Sequence, residues 1–147
     1  MLRRTIAFSL LLASCSDNNQ DPAGAEDLLD EVRAADYQSW ARAPGYPTRT
    51  ASTAPHGDMV DIYINDVLAE VLASGETLTE WPEGSLIVKD GFKSDAPHLV
   101  AIMDKRADGW FYAEYDADDE ILYSGSPDTC TGCHSAGADF VRAFGFP

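Results

Sequence analysis

Cysteine, histidine and basic side chains are all scarce in this sequence, and each shortage narrows what the chain can be. Three cysteines in 147 residues cannot build the disulfide framework of a small secreted scaffold, so stability has to come from a packed core or a bound group. Hydrophobic residues make up 45% of the chain, enough for one modest domain with a real core. Ten Lys and Arg against 25 Asp and Glu give a formal charge of −15. That balance argues against a nucleic-acid surface and against electrostatic binding to anionic lipid. It suits a basic redox partner or a cationic substrate through long-range steering, or serves solubility alone. Long apolar runs are missing too. The run from Ile6 to Leu12 is too short to span a bilayer as a stable anchor. No internal repeat is present.

What stands at the start reads as an export signal. Arg3 and Arg4 precede the apolar run, and small residues precede Cys15, the pattern of a secretory signal over residues 1–14. Leu12-Ala13-Ser14-Cys15 resembles the lipobox of bacterial lipoproteins, in which the cysteine is lipidated and becomes the first residue. The alternative is an ordinary signal followed by a chance cysteine, but a free thiol just after export would be a liability. Residues 15–25 are polar and read as a tether, leaving 26–147 as the folded domain. A lipoprotein of the bacterial cell envelope, periplasmic or outer-surface, touching membrane through its lipid alone, is the expectation.

The strongest chemical signal lies late in the chain. In "SPDTCTGCHSAGADF", Cys130, Cys133 and His134 have the C-x-x-C-H spacing of covalent haem attachment. Two thiols would bond the haem vinyl groups, and the imidazole would ligate its iron. With Cys15 lipidated, no cysteine is left for a disulfide. A bare thiol pair and a zinc site are the competing readings, and zinc needs a fourth ligand. The residues after His134 include no methionine or histidine, so no sixth ligand follows the motif.

Hydrophobic periodicity between these ends predicts an α+β fold, a curved antiparallel β-sheet with flanking helices and the haem attached near the C-terminus. Residues 26–42 read as a helix ended by Pro44, and the Pro- and Gly-rich stretch after it as a surface link. Val60, Ile62 and Ile64 alternate with polar or amphipathic residues as a strand does. Asn65 then caps a short helix that Gly75 stops. From Trp81 the pattern is a meander, with strands "SLIVKD", "HLVAIMD", "WFYAEYD" and "ILYS" joined by connections short enough for hairpins. Ser126 is expected to cap a last helical segment, with Pro127 at its first position.

The ordered blocks "APHGDMVDIYIND", "WPEGSLIVKD" and "GWFYAEY", followed by the late C-x-x-C-H and "DFV", resemble the cytochrome P-460 family. That family includes the β-sheet cytochromes c-prime-beta, and the likeness runs from about Trp40 to Phe144. It implies a curved antiparallel sheet carrying one haem c per chain, with His134 as the only protein ligand of the iron. The open distal face binds or oxidises a small nitrogen compound, hydroxylamine or nitric oxide. Lys89 falls where hydroxylamine-oxidising members carry a lysine bonded to the haem edge. The distal carboxylate of those members falls near Met103, with Asp104 pointing to the other face. A distal aromatic falls at His56, which reads equally as a loop histidine, a hydrogen-bond donor or base, or a sixth ligand.

Three functions stay open on these grounds. One is a hydroxylamine oxidoreductase that uses an external acceptor, and another a nitric-oxide binder. The third is a six-coordinate periplasmic electron-transfer cytochrome with His56, Met59 or Met103 as the second ligand. His98 reads as structural, and Arg142 as either a surface residue or a haem neighbour. Because relatives are often dimers, a homodimer is among the assemblies the resemblance implies.

Overall fold

A computed structural model describes residues 20–147; the signal and Cys15 lie outside them. The first helix, α1 (Pro22–Ala34), starts one turn earlier than its periodicity predicts. Capping explains the shift: the Asp21 side chain accepts the Gly24 N–H at 3.0 Å, and Pro22 supplies a backbone angle ready for the first turn. The helix therefore takes in residues 22–25, which the reading gave to the tether, and buries Ala25. It also ends earlier, because Asp36 takes a left-handed conformation (φ 50°) and Tyr37–Ser39 form one 3-10 turn. The segment expected to continue it becomes β1 (Ala41–Arg42), paired with residues far along the chain.

The remaining elements are β2 (Thr50–Ala51), β3 (Met59–Ile64), α2 (Asp66–Ser74), β4 (Leu86–Lys93), β5 (Ala96–Arg106), β6 (Gly109–Asp116), β7 (Ile121–Gly125) and α3 (Asp128–His134). All strands are antiparallel, in the order β1-β3-β4-β5-β6-β7, with β2 also on β3. The open, curved sheet with flanking helices is the α+β architecture predicted. Asn65 caps α2 by accepting the Leu68 N–H at 3.3 Å, and Gly75 (φ 68°) closes it, as expected.

Two details differ from the predicted meander. β4 continues through Gly91, Phe92 and Lys93, expected to be loop, and turns into β5 over Ser94 and Asp95, both at positive φ. That is a two-residue hairpin, tighter than the composition suggested. Ser126 does not cap α3; its hydroxyl donates to Trp110 O at 2.9 Å, and Pro127 stands at the cap position.

Strand alternation gives the sheet two apolar faces. One packs Tyr63, Val88, Ile102, Phe111 and Tyr115 under Leu28, Leu29 and Val32 of α1. Burying each of those three helix side chains stabilises the fold by about 1.5–3 kcal/mol. The other packs Ile62, Ile64, Ile87, Met103, Trp110 and Tyr112 against Leu68 of α2 and Val141 and Phe144 of the C-terminal segment. No helix among the described residues is long and apolar enough to cross a membrane.

Candidate functional site

On this second face, register brings together residues that lie far apart in sequence. Ile62, Lys89, Ala101 and Glu114 are Cα partners across β3, β4, β5 and β6. One row along, Ile64, Ile87, Met103 and Tyr112 pair in the same way. Ala101 is the smallest side chain of the first row, and it leaves a hollow between Lys89 and Glu114. Register shifts beside the row, at Gly91/Phe92 in β4 and Glu114/Tyr115 in β6, bend the sheet there as bulges do.

Cys130 and His134 of α3, with Val141, Arg142 and Ala143 after it, roof the hollow, and His56 closes one side. The hollow is mostly apolar and partly open to solvent. A more open and more polar cavity adjoins it, sharing His56, Lys89, His134, Arg142 and Ala143 and adding Cys133 and the Ala51–Pro55 loop. Glycine places His56. A Cβ at Gly91 would lie 1.8 Å from His56 O, and one at Gly57 (φ 133°) 2.8 Å from Phe92 N and O, so only glycines let that loop lie on the sheet.

His134 is oriented as a metal ligand has to be. Its Nδ1 lies 2.9 Å from Phe140 O. A carbonyl only accepts, so Nδ1 carries the proton and Nε2 keeps its lone pair. Burial, opposed by that hydrogen bond and aided by the charges of Lys89, His56 and Arg142, holds the imidazole below its ordinary pKa. The ring is thus neutral at pH 7, the state that ligates metals.

Cys130 and Cys133 are free and lie one turn apart on α3. Burial, with Glu114 nearby, pushes the Cys130 thiol up to about 11. Cys133 is exposed, and its Sγ sits 3.1 Å from Arg142 Nη1. Among the described residues no group of three or more His, Cys, Asp or Glu is placed to hold a metal ion.

Lys89 projects from the middle of β4 into both cavities, and burial lowers its pKa. Met103 is buried in the wall beside it. Met59, opposite Phe92 at the end of β3, and His98 in β5 line neither cavity. Asp104 points to the other face, bonded to Arg106 Nε at 2.7 Å. Arg142 is exposed, yet lines both cavities.

Two site residues were not singled out in the sequence, where one of them reads only as a sheet aromatic. Glu114 supplies a pocket carboxylate, its side chain 15% exposed, with Oε2 2.8 Å from Nδ1 of His56. The two form a close pair, but the carboxylate lies out of line with the ring N–H, so Nδ1 lacks a well-formed hydrogen bond. The other is Tyr112, whose buried hydroxyl lines the pocket with no partner at all. Alternation in "WFYAEYD" does put Tyr112 and Glu114 on one face, the only signal that pointed to them.

A buried hydroxyl without a partner marks a place where a bound group supplies what the protein does not. An apolar pocket with that hydroxyl, a neutral imidazole presenting its bare nitrogen and two free thiols on the same helix fits haem in chemistry. These features are those of a haem-binding cytochrome. The chain belongs to the cytochrome P-460 family, whose model matches residues 34–141. No curated protein and no solved structure matches it significantly.

Proposed function

We propose that the chain is an exported, lipid-anchored cytochrome with one covalent haem c, and that it oxidises hydroxylamine. The observation that carries this reading is the cross-strand row in which Lys89 and Glu114 flank Ala101, inside the pocket roofed by His134. Cys130 and Cys133 would hold the haem through thioether bonds to its two vinyl groups, an addition of S–H across each vinyl that exchanges no electrons. His134 offers Nε2 to the iron while Phe140 O holds the opposite N–H. When bound, the haem iron supplies an open coordination position and a route for electrons.

The chain's own residues do the rest. Glu114 takes up protons as NH2OH loses two protons and two electrons to reach the level of HNO, the general-base role of a pocket carboxylate. His56 lies against that carboxylate. The apolar walls around Ile87, Met103 and Val141 limit water. Electrons leave to an external acceptor, and the charge of −15 favours a basic redox partner. Lys89 would hold the haem edge through Nζ; such a bond would replace one N–H and one C–H, with a peroxide-class oxidant taking the two protons and two electrons as water. Residues 1–14 and Cys15 direct the protein to the bacterial cell envelope.

Turnover of hydroxylamine with a dye acceptor tests the enzyme. Dye reduction by the cross-linked protein is expected; its absence leaves a nitric-oxide binder. A second reading draws on the 6.3 Å separation of the His56 and His134 ring centroids, which makes His56 the candidate second ligand of an electron carrier. Immediate binding of carbon monoxide by the reduced protein is expected here, and refusal to bind it would support the carrier.

A further inference from the structure

The carbonyl that holds His134 belongs to a backbone that L-residues rarely adopt. Ala138 and Val141 exchange both of their backbone hydrogen bonds, at 3.0 and 3.1 Å, across a two-residue turn. Its central residues, Asp139 (φ 43°) and Phe140 (φ 65°), both have positive φ. Asp, Asn and Gly suit such a turn; phenylalanine does not. Closing the chain on the core does not require this conformation, since Val141 and Phe144 anchor it by burial. The unfavourable position is the one whose carbonyl meets His134 Nδ1, and strain of this kind persists only where its surroundings over-determine it.

The surroundings do. Lys105 Nζ donates to Asp139 Oδ2 at 2.8 Å, and the Trp81 backbone N–H donates to the same oxygen at 2.9 Å. The Trp110 indole N–H donates to Asp139 O at 2.7 Å, and that of Trp81 to Ala138 O at 2.9 Å. These donors come from β5, β6 and the segment before β4, so three parts of the sheet framework converge on one turn. Lys105 is 8% exposed and Trp81 1%, a setting in which such bonds are strong. A buried lysine paired with a turn aspartate is a costly way to secure a chain end, because two charges have to be desolvated.

We propose that Asp139 and Lys105 are positioning residues for His134. They lock the turn so that Phe140 O holds the Nδ1 proton, which leaves Nε2 bare and makes the ring a stronger donor to iron. The inference rests on His134 being the iron ligand. A stronger donor stabilises ferric over ferrous haem, so the pair sets the reduction potential without touching the haem.

The test uses the matured haem protein and reads its midpoint potential and the iron–histidine stretching band of the reduced form. Lys105→Met and Asp139→Ala are each expected to raise the potential by a tenfold change in the ferric/ferrous balance, about 59 mV for one electron, and to lower the stretching frequency. Asp139→Asn should recover most of the effect, because Asn tolerates the same backbone and still accepts from Trp81. If the charge variants fail to fold, Trp110→Phe keeps the Lys105–Asp139 pair, removes the bond to Asp139 O along with part of a buried ring, and should shift both readouts less, in the same direction. Variants that keep haem, potential and band unchanged while melting earlier would overturn the proposal and leave the pair a purely structural role. An iron–histidine band absent from the unaltered protein, or surviving in His134→Ala, would instead overturn the ligand assignment and the proposal with it.

Discussion

Glu114 lies within the reach of Lys89 and His56 in a pocket with few other polar groups, so its charge has an outsized effect there. Glu114→Gln keeps the shape and removes the base. Hydroxylamine turnover should fall by about 10²–10⁴ while haem content and spectrum stay unchanged; full turnover in steady-state assays would remove Glu114 from the reaction. The residues of the site differed in how far the sequence revealed them. Cys130, Cys133 and His134 were legible because their spacing is local, one turn of one helix. Lys89 was legible through its resemblance to a known lysine strand. Glu114 was not, since its place beside Lys89 depends on register across three strands, which no short stretch encodes. The reading put the carboxylate near Met103, which lies on the same face in the adjacent row.

At the scale of elements, strands were read more faithfully than boundaries. Alternation located β3 to β7, but the start of α1 was decided by an Asp21 cap and its end by the left-handed Asp36, next to Tyr37, whose hydroxyl donates to Asp90 at 2.7 Å. Those are tertiary or single-atom effects that periodicity does not carry. The extension of β4 through Gly91 has the same character, because that glycine is there for the His56 loop. Gly91→Ala is expected to cost about 1–3 kcal/mol, as forced overpacking does, and to displace His56 from Glu114. Chemical denaturation and ligand-binding spectra would check it. Unchanged stability would mean that the loop does not lie on the sheet.

The molecule as a whole joins a sheet with two buried faces to a strongly acidic surface. Tyr37 and Tyr115 of the first face have pKa values raised by burial and, for Tyr37, also by its bond to Asp90. A phenol whose folded pKa lies above its unfolded value of about 10 stabilises the fold fully below that pH. Its contribution is lost as pH rises from there through the raised folded value. Alkaline unfolding should therefore begin above pH about 10, with the phenolate absorbance of these two appearing only as the sheet opens. Titration of all six tyrosines at ordinary pH in a folded protein would contradict this.

The central claim is that the C-terminal segment closes a covalent haem against the row containing Lys89. Intact mass and the optical spectrum of the matured protein, compared with Lys89→Ala, test it most directly. The account predicts the mass of one haem on each chain, and a red-shifted ferrous band that Lys89→Ala abolishes. A chain without haem mass would contradict the account outright. An ordinary five-coordinate spectrum that Lys89→Ala leaves unchanged would withdraw the lysine bond, and the enzyme with it.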